Sequence, residues 1–205
     1  CGYGTGGAAA VDELIAQGVA SDRIVVVDKD AARAEAATQA GVIAITGDAT
    51  HDDVLQAACI ARAARVIVAP SRDDAAALIV LSARRLAPTA RISVSVRAAE
   101  NADLLHQAGA DAIINPVLLG GQLLARAATN GHAVDYITDL AAARGRVALC
   151  ERAVRANEVG QPLSAISTGM GVRIIRAGQP IGWFDAGAQK MEAGDIVVEI
   201  LRADG

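Results

Sequence analysis

The chain opens with Gly2-Tyr3-Gly4-Thr5-Gly6-Gly7, a glycine-rich turn followed by a helical pattern and then by the apolar run Ile24-Val25-Val26-Val27, which ends at Asp28. Gly2 permits a tight turn, Gly4 lets a pyrophosphate approach the main chain, and Gly7 lets the helix pack closely on the sheet. Asp28 follows Gly7 by 21 positions, close to the ~20 typical of an acid that binds a ribose hydroxyl. The pattern predicts a dinucleotide-binding turn and favours an adenosine ribose without a 2′-phosphate.

Short apolar runs alternate with helical patterns through residue 114. The runs predict strands at Ile24–Val27, Val42–Thr46, Val66–Ala69, Ile92–Val96 and Ala112–Ile114. The intervening patterns predict helices near Gly6–Gln17, Ala31–Ala40, Asp53–Ala58, Asp74–Leu86 and Asn101–Ala108. Because continuous apolar strands are typical of sheets covered on both faces, we predict a Rossmann-like, doubly wound parallel α/β sheet.

The strand that should lead into the glycine turn is missing, since only Cys1 precedes Gly2. A Rossmann sheet has that strand at its centre. We therefore expect six parallel strands once it is restored, and we expect this sequence to be a piece of a longer polypeptide.

The pattern changes after Pro116. An amphipathic helix is predicted at Val117–Thr129 and a second short helix from Val134. The segments after it predict strands at Val147–Val154, Val172–Arg176, Ile181–Phe184 and Ile196–Leu201. We therefore predict a nucleotide-binding domain with a crossover helix over residues 1–130 and a small α+β module over residues 134–205.

Two apolar groups in this second half allow alternative interpretations. Leu118, Leu119, Leu123 and Leu124 form a stripe on the linking helix, which packs either in the core or on a second subunit. Trp183 and Phe184 are expected in the core of the small module, with a partner interface as the alternative.

Composition excludes several classes of protein. The net charge of −4 and the pI of about 5.3 leave no basic surface for nucleic acid. No apolar stretch reaches the ~18 residues of a membrane span, so we expect a soluble chain. Three separated cysteines and three scattered histidines lack the spacing of a disulfide framework or a metal site, and a reducing cytosol fits best.

Polar residues follow several predicted strands, at the edge where a doubly wound sheet binds ligands. Asp48 could accept a hydrogen bond from adenine, or Asp48 or Thr50 could cap the next helix. Arg97 could bind phosphate or remain solvated. For the pair Asp73-Asp74 we favour a helix start over a cation site.

Taken together, these motifs resemble the RCK or KTN family, the regulator-of-potassium-conductance domains of TrkA-N plus TrkA-C type found in prokaryotic potassium channels and transporters. The resemblance rests on short motifs spread along the chain. They are Cys1-Gly2-Tyr3-Gly4, Val27-Asp28-Lys29-Asp30, Gly47-Asp48-Ala49-Thr50, Ser71-Arg72-Asp73-Asp74, Glu100-Asn101, Leu104-Leu105, Ala108-Gly109-Ala110-Asp111, Gly160, Leu163 and Gly194-Asp195. The Gly-Asp-Ala-Thr and Ala-Gly-Ala-Asp motifs are more specific than the glycine turn.

The resemblance implies a cytoplasmic regulatory domain that binds NAD or an adenine nucleotide (ATP, ADP or AMP). It also implies homodimers formed through crossover helices, a ring of eight in some members, and potassium flux through a pore domain upstream in the same chain or in a partner subunit. The missing strand would then follow a pore segment that tethers the domain to the membrane. Residues implied to bind the nucleotide are Gly2, Tyr3, Gly4, Thr5, Gly6, Gly7, Asp28, Lys29, Asp30, Asp48, Ala49, Thr50, Pro70, Ser71 and Arg97. Ala75 departs from the polar residue common in the family near this cleft, which puts the phosphate end in doubt.

Other functions remain as alternatives. An NAD-dependent oxidoreductase would need a proton-transfer group over the nicotinamide, yet Lys29 and Lys190 are the only lysines and no histidine clearly follows a strand. We therefore expect no enzyme activity. A stand-alone regulatory subunit of a potassium uptake transporter and a scaffold with a vestigial cleft are the remaining possibilities.

Overall fold

Strands and helices alternate through the first of two units into which the chain divides, Cys1–Ala125 and a second unit that begins at Arg126. The computed structural model describes residues 1–203. The strands of the first unit are β1 (Val25–Asp28), β2 (Ile43–Thr46), β3 (Arg65–Val68), β4 (Arg91–Ser95) and β5 (Ala112–Ile114). Its helices are α1 (Thr5–Ala16), α2 (Ala31–Gln39), α3 (Asp52–Ala57), α4 (Asp73–Leu86) and α5 (Ala102–Gln107), and α6 (Pro116–Ala127) crosses the boundary.

All strand pairs of the first unit are parallel, in the groups β2-β1 and β3-β4-β5. The main chain of Cys1 and Gly2 lies between the groups. The Gly2 N–H donates to the Val27 carbonyl at 2.8 Å, and the Ala69 N–H donates to the Cys1 carbonyl at 2.8 Å. The order β2-β1-(Cys1–Gly2)-β3-β4-β5 confirms the doubly wound α/β prediction and puts the glycine turn at the point where the order reverses.

Small side chains make the core of this unit close-packed. Helix α4 buries Ala76, Ala77 and Ala83 beside Val80, so its backbone lies near β3 and β4. Strand β2 differs from the fully buried strand that its apolar run predicts. It is an edge strand, and Ile43 is 49% exposed.

Arg84 explains the Ala-Gly-Ala-Asp motif structurally. Its guanidinium donates to the Gly109 carbonyl at 2.8 Å and to Asp111 Oδ2 at 2.7 Å, and Asp111 also accepts from the Ile92 N–H at 2.6 Å. Gly109 has a φ of +104°, a conformation that L side chains rarely adopt. The motif therefore joins α4 to the turn before β5.

The second unit is α+β, as the sequence predicts. Helix α7 (Gly131–Ala141) precedes an antiparallel sheet in the order β6-β9-β7-β8. Its strands are β6 (Val147–Ala153), β7 (Met170–Arg176), β8 (Gln179–Gly182) and β9 (Ile196–Arg202). Leu163, Ile174, Met191 and Val197 fill its core.

The prediction of Trp183 and Phe184 in that core is wrong. Strand β8 ends at Gly182, and the two aromatic residues are 65% and 74% exposed. Their rings stack edge to face with centroids 5.8 Å apart. The two aromatic rings lie at the surface, because aliphatic side chains already fill the core of this unit.

A buried ion network replaces part of an apolar core in this unit. Glu199 is 1% exposed, accepts from Arg152 Nε at 2.7 Å and accepts a short hydrogen bond of 2.5 Å from the Thr168 hydroxyl. Arg152 also binds both carboxylate oxygens of Glu158 at 2.7 Å. Burial alone would raise the pKa of Glu199, but the donors outweigh it and hold that pKa below its ordinary value.

No helix within residues 1–203 combines the length and the apolar character that crossing a bilayer requires.

Candidate functional site

The glycine turn is held by two contacts that exclude a side chain. A Cβ built on Gly2 would lie 2.5 Å from the Ala69 carbonyl oxygen, and Gly2 has a φ of +90°. A Cβ on Gly7 would lie 1.9 Å from the Gly2 carbonyl oxygen, far inside contact distance. Both glycines are therefore required by the packing of α1 on the turn. By contrast, apart from the neighbouring backbone of α1 itself, no atom of residues 1–203 comes within 4 Å of a Cβ on Gly6.

The N-terminus of α1 points out of this turn. The helix begins at Thr5 with Gly4 as its N-cap, and within the described chain no side chain caps it. The first N–H groups of a helix have no acceptor inside the helix and carry a partial positive charge. The turn thus presents main-chain donors at the place where the sequence predicts phosphate binding.

Asp28 fixes the turn from the end of β1. The residue is 6% exposed. Its carboxylate accepts from the Tyr3 N–H at 2.6 Å through Oδ2 and from the Asp30 N–H at 2.9 Å through Oδ1. The Asp28 carbonyl also accepts from the Gly47 N–H at 2.9 Å. Asp28 therefore connects three loops. Each carboxylate oxygen keeps a second lone pair, which the predicted ribose contact would use.

The residues after Asp28 form the start of α2. Asp30 is the N-cap and accepts from the Ala32 N–H at 2.9 Å, and Lys29 is exposed. Arg33 Nε lies 3.8 Å from Asp30 Oδ2. Its Nη1 lies 3.7 Å from the position of a Cβ on Gly4, so a guanidinium stands beside the turn.

Sequence reasoning missed Arg33. The available signal was its place three residues after the N-cap Asp30, since residues three apart lie on the same face of a helix. The first turn of α2 follows β1 directly, and the helix face that carries Arg33 lies beside the glycine turn.

The segment after β2 forms a closed turn. Asp48 Oδ1 accepts from the Thr50 N–H at 3.0 Å and from the Thr50 hydroxyl at 2.8 Å. These bonds, the main-chain one first, lower the pKa of Asp48. Ala49 is buried, and α3 has His51 as its N-cap, so neither Asp48 nor Thr50 caps that helix. The exposed Asp48 keeps its adenine role as a prediction.

A second carboxylate joins the loops after β3 and β4. Asp73 accepts from the Arg97 and Ala98 N–H groups at 2.9 and 3.0 Å, and from Asn101 Nδ2 at 2.9 Å. Burial alone would raise the pKa of Asp73, but these donors hold it below its ordinary value. This contact explains Asp73 without a cation. The Arg97 side chain is exposed, and among residues 1–203 its guanidinium has no hydrogen-bond or ion-pair partner.

Pro70 and Ser71 lie next to the glycine turn, because Gly2 packs on the carbonyl of Ala69 just before them. Pro70 is half-buried and Ser71 is exposed. The structure thus gathers the glycine turn, the end of β1 and the β3–α4 loop at one edge of the sheet. Main-chain donors and exposed guanidinium groups at that edge suit an anionic ligand.

Comparison with known proteins gives one family and several relatives. The TrkA-N domain family model matches residues 1–116. The chain is 35% identical over 144 residues to "Potassium channel protein 1" of Methanocaldococcus jannaschii. The aligned region covers 69% of this chain and 42% of that protein. The chain therefore spans less than half the length of that curated relative.

Two solved structures extend the comparison. The GsuK channel is similar in fold with a TM-score of 0.55 at 21% identity, over 98% of this chain and 35% of that one. GsuK bound to ADP gives a TM-score of 0.50 at 25% identity, over 58% of this chain and 31% of that one.

Proposed function

The chain belongs to the TrkA-N domain family, and we propose that it is a regulatory domain of a potassium channel or transport system, controlled by NAD or an adenine nucleotide. Nucleotide binding would shift an equilibrium between domain arrangements and thereby change potassium flux. The division into a nucleotide-binding domain over residues 1–130 and a module over residues 134–205 is part of this proposal.

The observation that carries the proposal is the uncapped N-terminus of α1 beside the turn that Asp28 holds. This arrangement offers phosphate several main-chain donors without a change in the fold. Two relatives support the ligand and the context. One is named a potassium channel protein, and a similar structure is described as bound to ADP.

We assign the phosphates to the main-chain N–H groups of Gly4, Thr5 and Gly7, with Arg33 or Arg97 supplying positive charge. The Gly2 N–H is used by the Val27 carbonyl, so Gly2 would shape the turn together with Tyr3 and Gly6. Asp28 would accept from the ribose, and Asp48 from the adenine amino group. Lys29, Asp30, Ala49, Thr50, Pro70 and Ser71 would border the ligand.

We propose a binding role and not catalysis. His51, His106 and His132 are exposed and lie outside the glycine turn. An oxidoreductase would need a proton donor placed beside the nicotinamide. Incubation with NADH and a panel of carbonyl compounds should give no turnover, and clear turnover would favour the oxidoreductase instead.

The proposal includes self-association through α6. None of the twelve residues of this helix, all in the described chain, is buried, and Leu118, Leu119 and Leu124 are about half exposed or more. An apolar helix face of this kind commonly packs on a second copy. Dimers, or a ring of eight, would then act on a pore domain in the same chain or in a partner subunit, at the cytoplasmic side of a membrane.

The direct test is calorimetric titration of the chain with ADP, NAD and adenosine. We expect the two phosphate-bearing ligands to bind and adenosine to bind at least tenfold more weakly. The variant Arg33→Gln should lose about 0.5 to 2 kcal/mol of ADP affinity if its charge reaches the phosphates. Arg62→Gln, an exposed arginine after α3, is the matched control. Absence of ADP and NAD binding by the wild-type chain at millimolar ligand would refute the proposal.

A further inference from the structure

One peptide group connects the loops of the candidate site to the start of α6. It is the peptide between Arg97 and Ala98, which follows β4. Its N–H donates to Asp73 Oδ2 at 3.0 Å, and its carbonyl accepts from Asn115 Nδ2 at 3.1 Å. The N–H and the C=O of a planar trans peptide point in opposite directions. The two side chains therefore hold this peptide from its two sides.

The Asp73 end of the connection lies at the edge of the sheet that carries the candidate site. Asp73 is the first residue of α4 and follows Pro70 and Ser71 in the β3–α4 loop. Its Oδ1 accepts from the Arg97 N–H at 2.9 Å, while Oδ2 accepts from the Ala98 N–H. Asp73 thus fixes the main chain before and after the Cα of Arg97, whose guanidinium is exposed.

The Asn115 end is the N-cap of α6. Its Oδ1 accepts from the Leu118 N–H at 2.9 Å, its carbonyl accepts from the Leu119 N–H at 3.0 Å, and Pro116 occupies the first helical position. The same side-chain amide therefore uses its oxygen on the helix and its nitrogen on the Arg97 carbonyl. An ionised aspartate would supply the cap but could not donate to that carbonyl.

The two hydrogen bonds of this peptide act in series. Donation from Asn115 to the carbonyl polarises the peptide and strengthens the donation of its N–H to Asp73. Hydrogen bonds to an ionised acceptor are also the stronger kind. A rotation of this one peptide would break both bonds at once. The loop after β4 and the cap of α6 therefore hold or move together.

We propose that Asn115 is a positioning residue that couples nucleotide binding to self-association through α6. The inference rests on the proposed function, in which Arg97 is one of two arginines placed for phosphate and α6 contacts a second copy. A ligand that draws Arg97 toward itself shifts the peptide after it, and Asn115 passes the shift to the first turn of α6. By reciprocity, contact between two copies changes the affinity for the nucleotide by the same factor.

Asn115→Asp separates the two roles of this side chain. Aspartate is as good an N-cap as asparagine and adds a favourable charge at the helix start, so α6 keeps its first turn. It cannot donate to the Arg97 carbonyl and instead sets a negative oxygen beside it. The variant should therefore remain folded, bind ADP and self-associate, while the influence of one event on the other is lost.

The test is sedimentation velocity of the full chain over a concentration series, with and without saturating ADP. In the wild type we expect ADP to change the dissociation constant of self-association by about fivefold or more, the lower end of typical allosteric coupling. In Asn115→Asp this change should fall below about twofold. Asn157→Asp makes the same charge change at an exposed position of the second unit and should couple like the wild type.

The ADP-dependent change distinguishes coupling from a merely structural role, which would lower the melting temperature or weaken an affinity and leave that change intact. Circular dichroism checks that Asn115→Asp is folded. Asp73→Asn cuts the same connection at its other end, because it removes one of the two carboxylate acceptors, and decides the matter if Asn115→Asp does not fold.

Calorimetric titration with ADP keeps the two proposals apart. A wild-type chain that takes up no ADP refutes the proposed function and this inference together. A wild-type chain that binds ADP with no change in self-association overturns this inference alone and leaves nucleotide binding in place. So does a folded Asn115→Asp in which ADP shifts self-association as strongly as in the wild type.

Discussion

Asp28 provides the sharpest test of how the glycine turn is held. Replacement with alanine removes the acceptor of the Tyr3 and Asp30 N–H groups and leaves the buried end of β1 without its carboxylate. A hydrogen bond to a charged group contributes about 1.5 to 3 kcal/mol. Because water can reach part of the vacated space, we take the lower end for each bond and expect the free energy of unfolding to fall by about 3 kcal/mol.

The effect on melting follows from the size of the chain. One kcal/mol moves the melting temperature by about 2 to 4 °C in proteins of 150 to 250 residues. Asp28→Ala should therefore melt about 6 to 12 °C below the wild type in differential scanning calorimetry. Asp28→Asn keeps one acceptor oxygen and one of the two bonds, so we expect roughly half of that decrease.

The same variants separate the structural role of Asp28 from its ligand role. If the ribose also binds this carboxylate, Asp28→Asn should bind ADP more weakly than the wild type by ~1 to 3 kcal/mol. Calorimetric titration below the melting range of the variant measures this difference. Asp12→Ala, which alters an exposed acid on α1, should change neither quantity. A difference of ~1 kcal/mol in unfolding free energy is large enough to detect as a shift in melting temperature. If the melting temperature of Asp28→Ala lies within about 2 °C of that of Asp12→Ala, the structural role of Asp28 is refuted. Unchanged ADP affinity in Asp28→Asn would refute the ribose contact.

Three further predictions concern the glycine turn, helix α6 and the buried Glu199. Gly7→Ala should lower the free energy of unfolding by about 1 to 3 kcal/mol, because its Cβ meets the Gly2 carbonyl, whereas Gly6→Ala should not; urea denaturation measures both. Leu119→Asp with Leu123→Asp should reduce self-association in sedimentation, and a folded double variant with unchanged sedimentation would reject the α6 interface. The pKa of Glu199 is depressed on folding, so its stabilisation is present above the unfolded pKa and is lost as pH falls through the folded one. The melting temperature should accordingly decrease on acidification below about pH 4.5. In Arg152→Met the buried carboxylate loses its charged partner, so its pKa in the folded state should rise above the unfolded value. The contribution of Glu199 should then change sign, and acidification toward about pH 4.5 from above should stabilise this variant relative to the wild type.

Periodicity was sufficient to predict the architecture, because apolar runs and helix starts are local signals. The strands predicted in the first half agree with β1 to β5 within one or two residues at most ends. The error at β2 has a physical reason. Its apolar run matches that of a central strand, but only the order of strands in the sheet decides which strand has a neighbour on one side alone.

The site was harder to predict, since a polar residue at a strand end has several possible partners. The sequence could not tell that Asp73 binds the main chain of the next loop, because Arg97 and Ala98 are more than twenty positions away. It also could not show that Asp48 accepts hydrogen bonds from the main chain and hydroxyl of Thr50. Trp183 and Phe184 misled for a related reason. Aromatic residues are usually buried, and only the completed aliphatic core leaves them at the surface.

The number of associated copies sets how selective the nucleotide must be. A tenfold preference of the ligand for one arrangement contributes about 1.4 kcal/mol per site. Two coupled sites would bring an equilibrium of 1:99 only to about even, whereas reversing it to 99:1 takes about 5.5 kcal/mol. Four coupled sites with that preference would reach this value, and eight would need less than tenfold at each. A strong response to modest nucleotide discrimination would therefore require more coupled sites than the two that an α6 dimer provides.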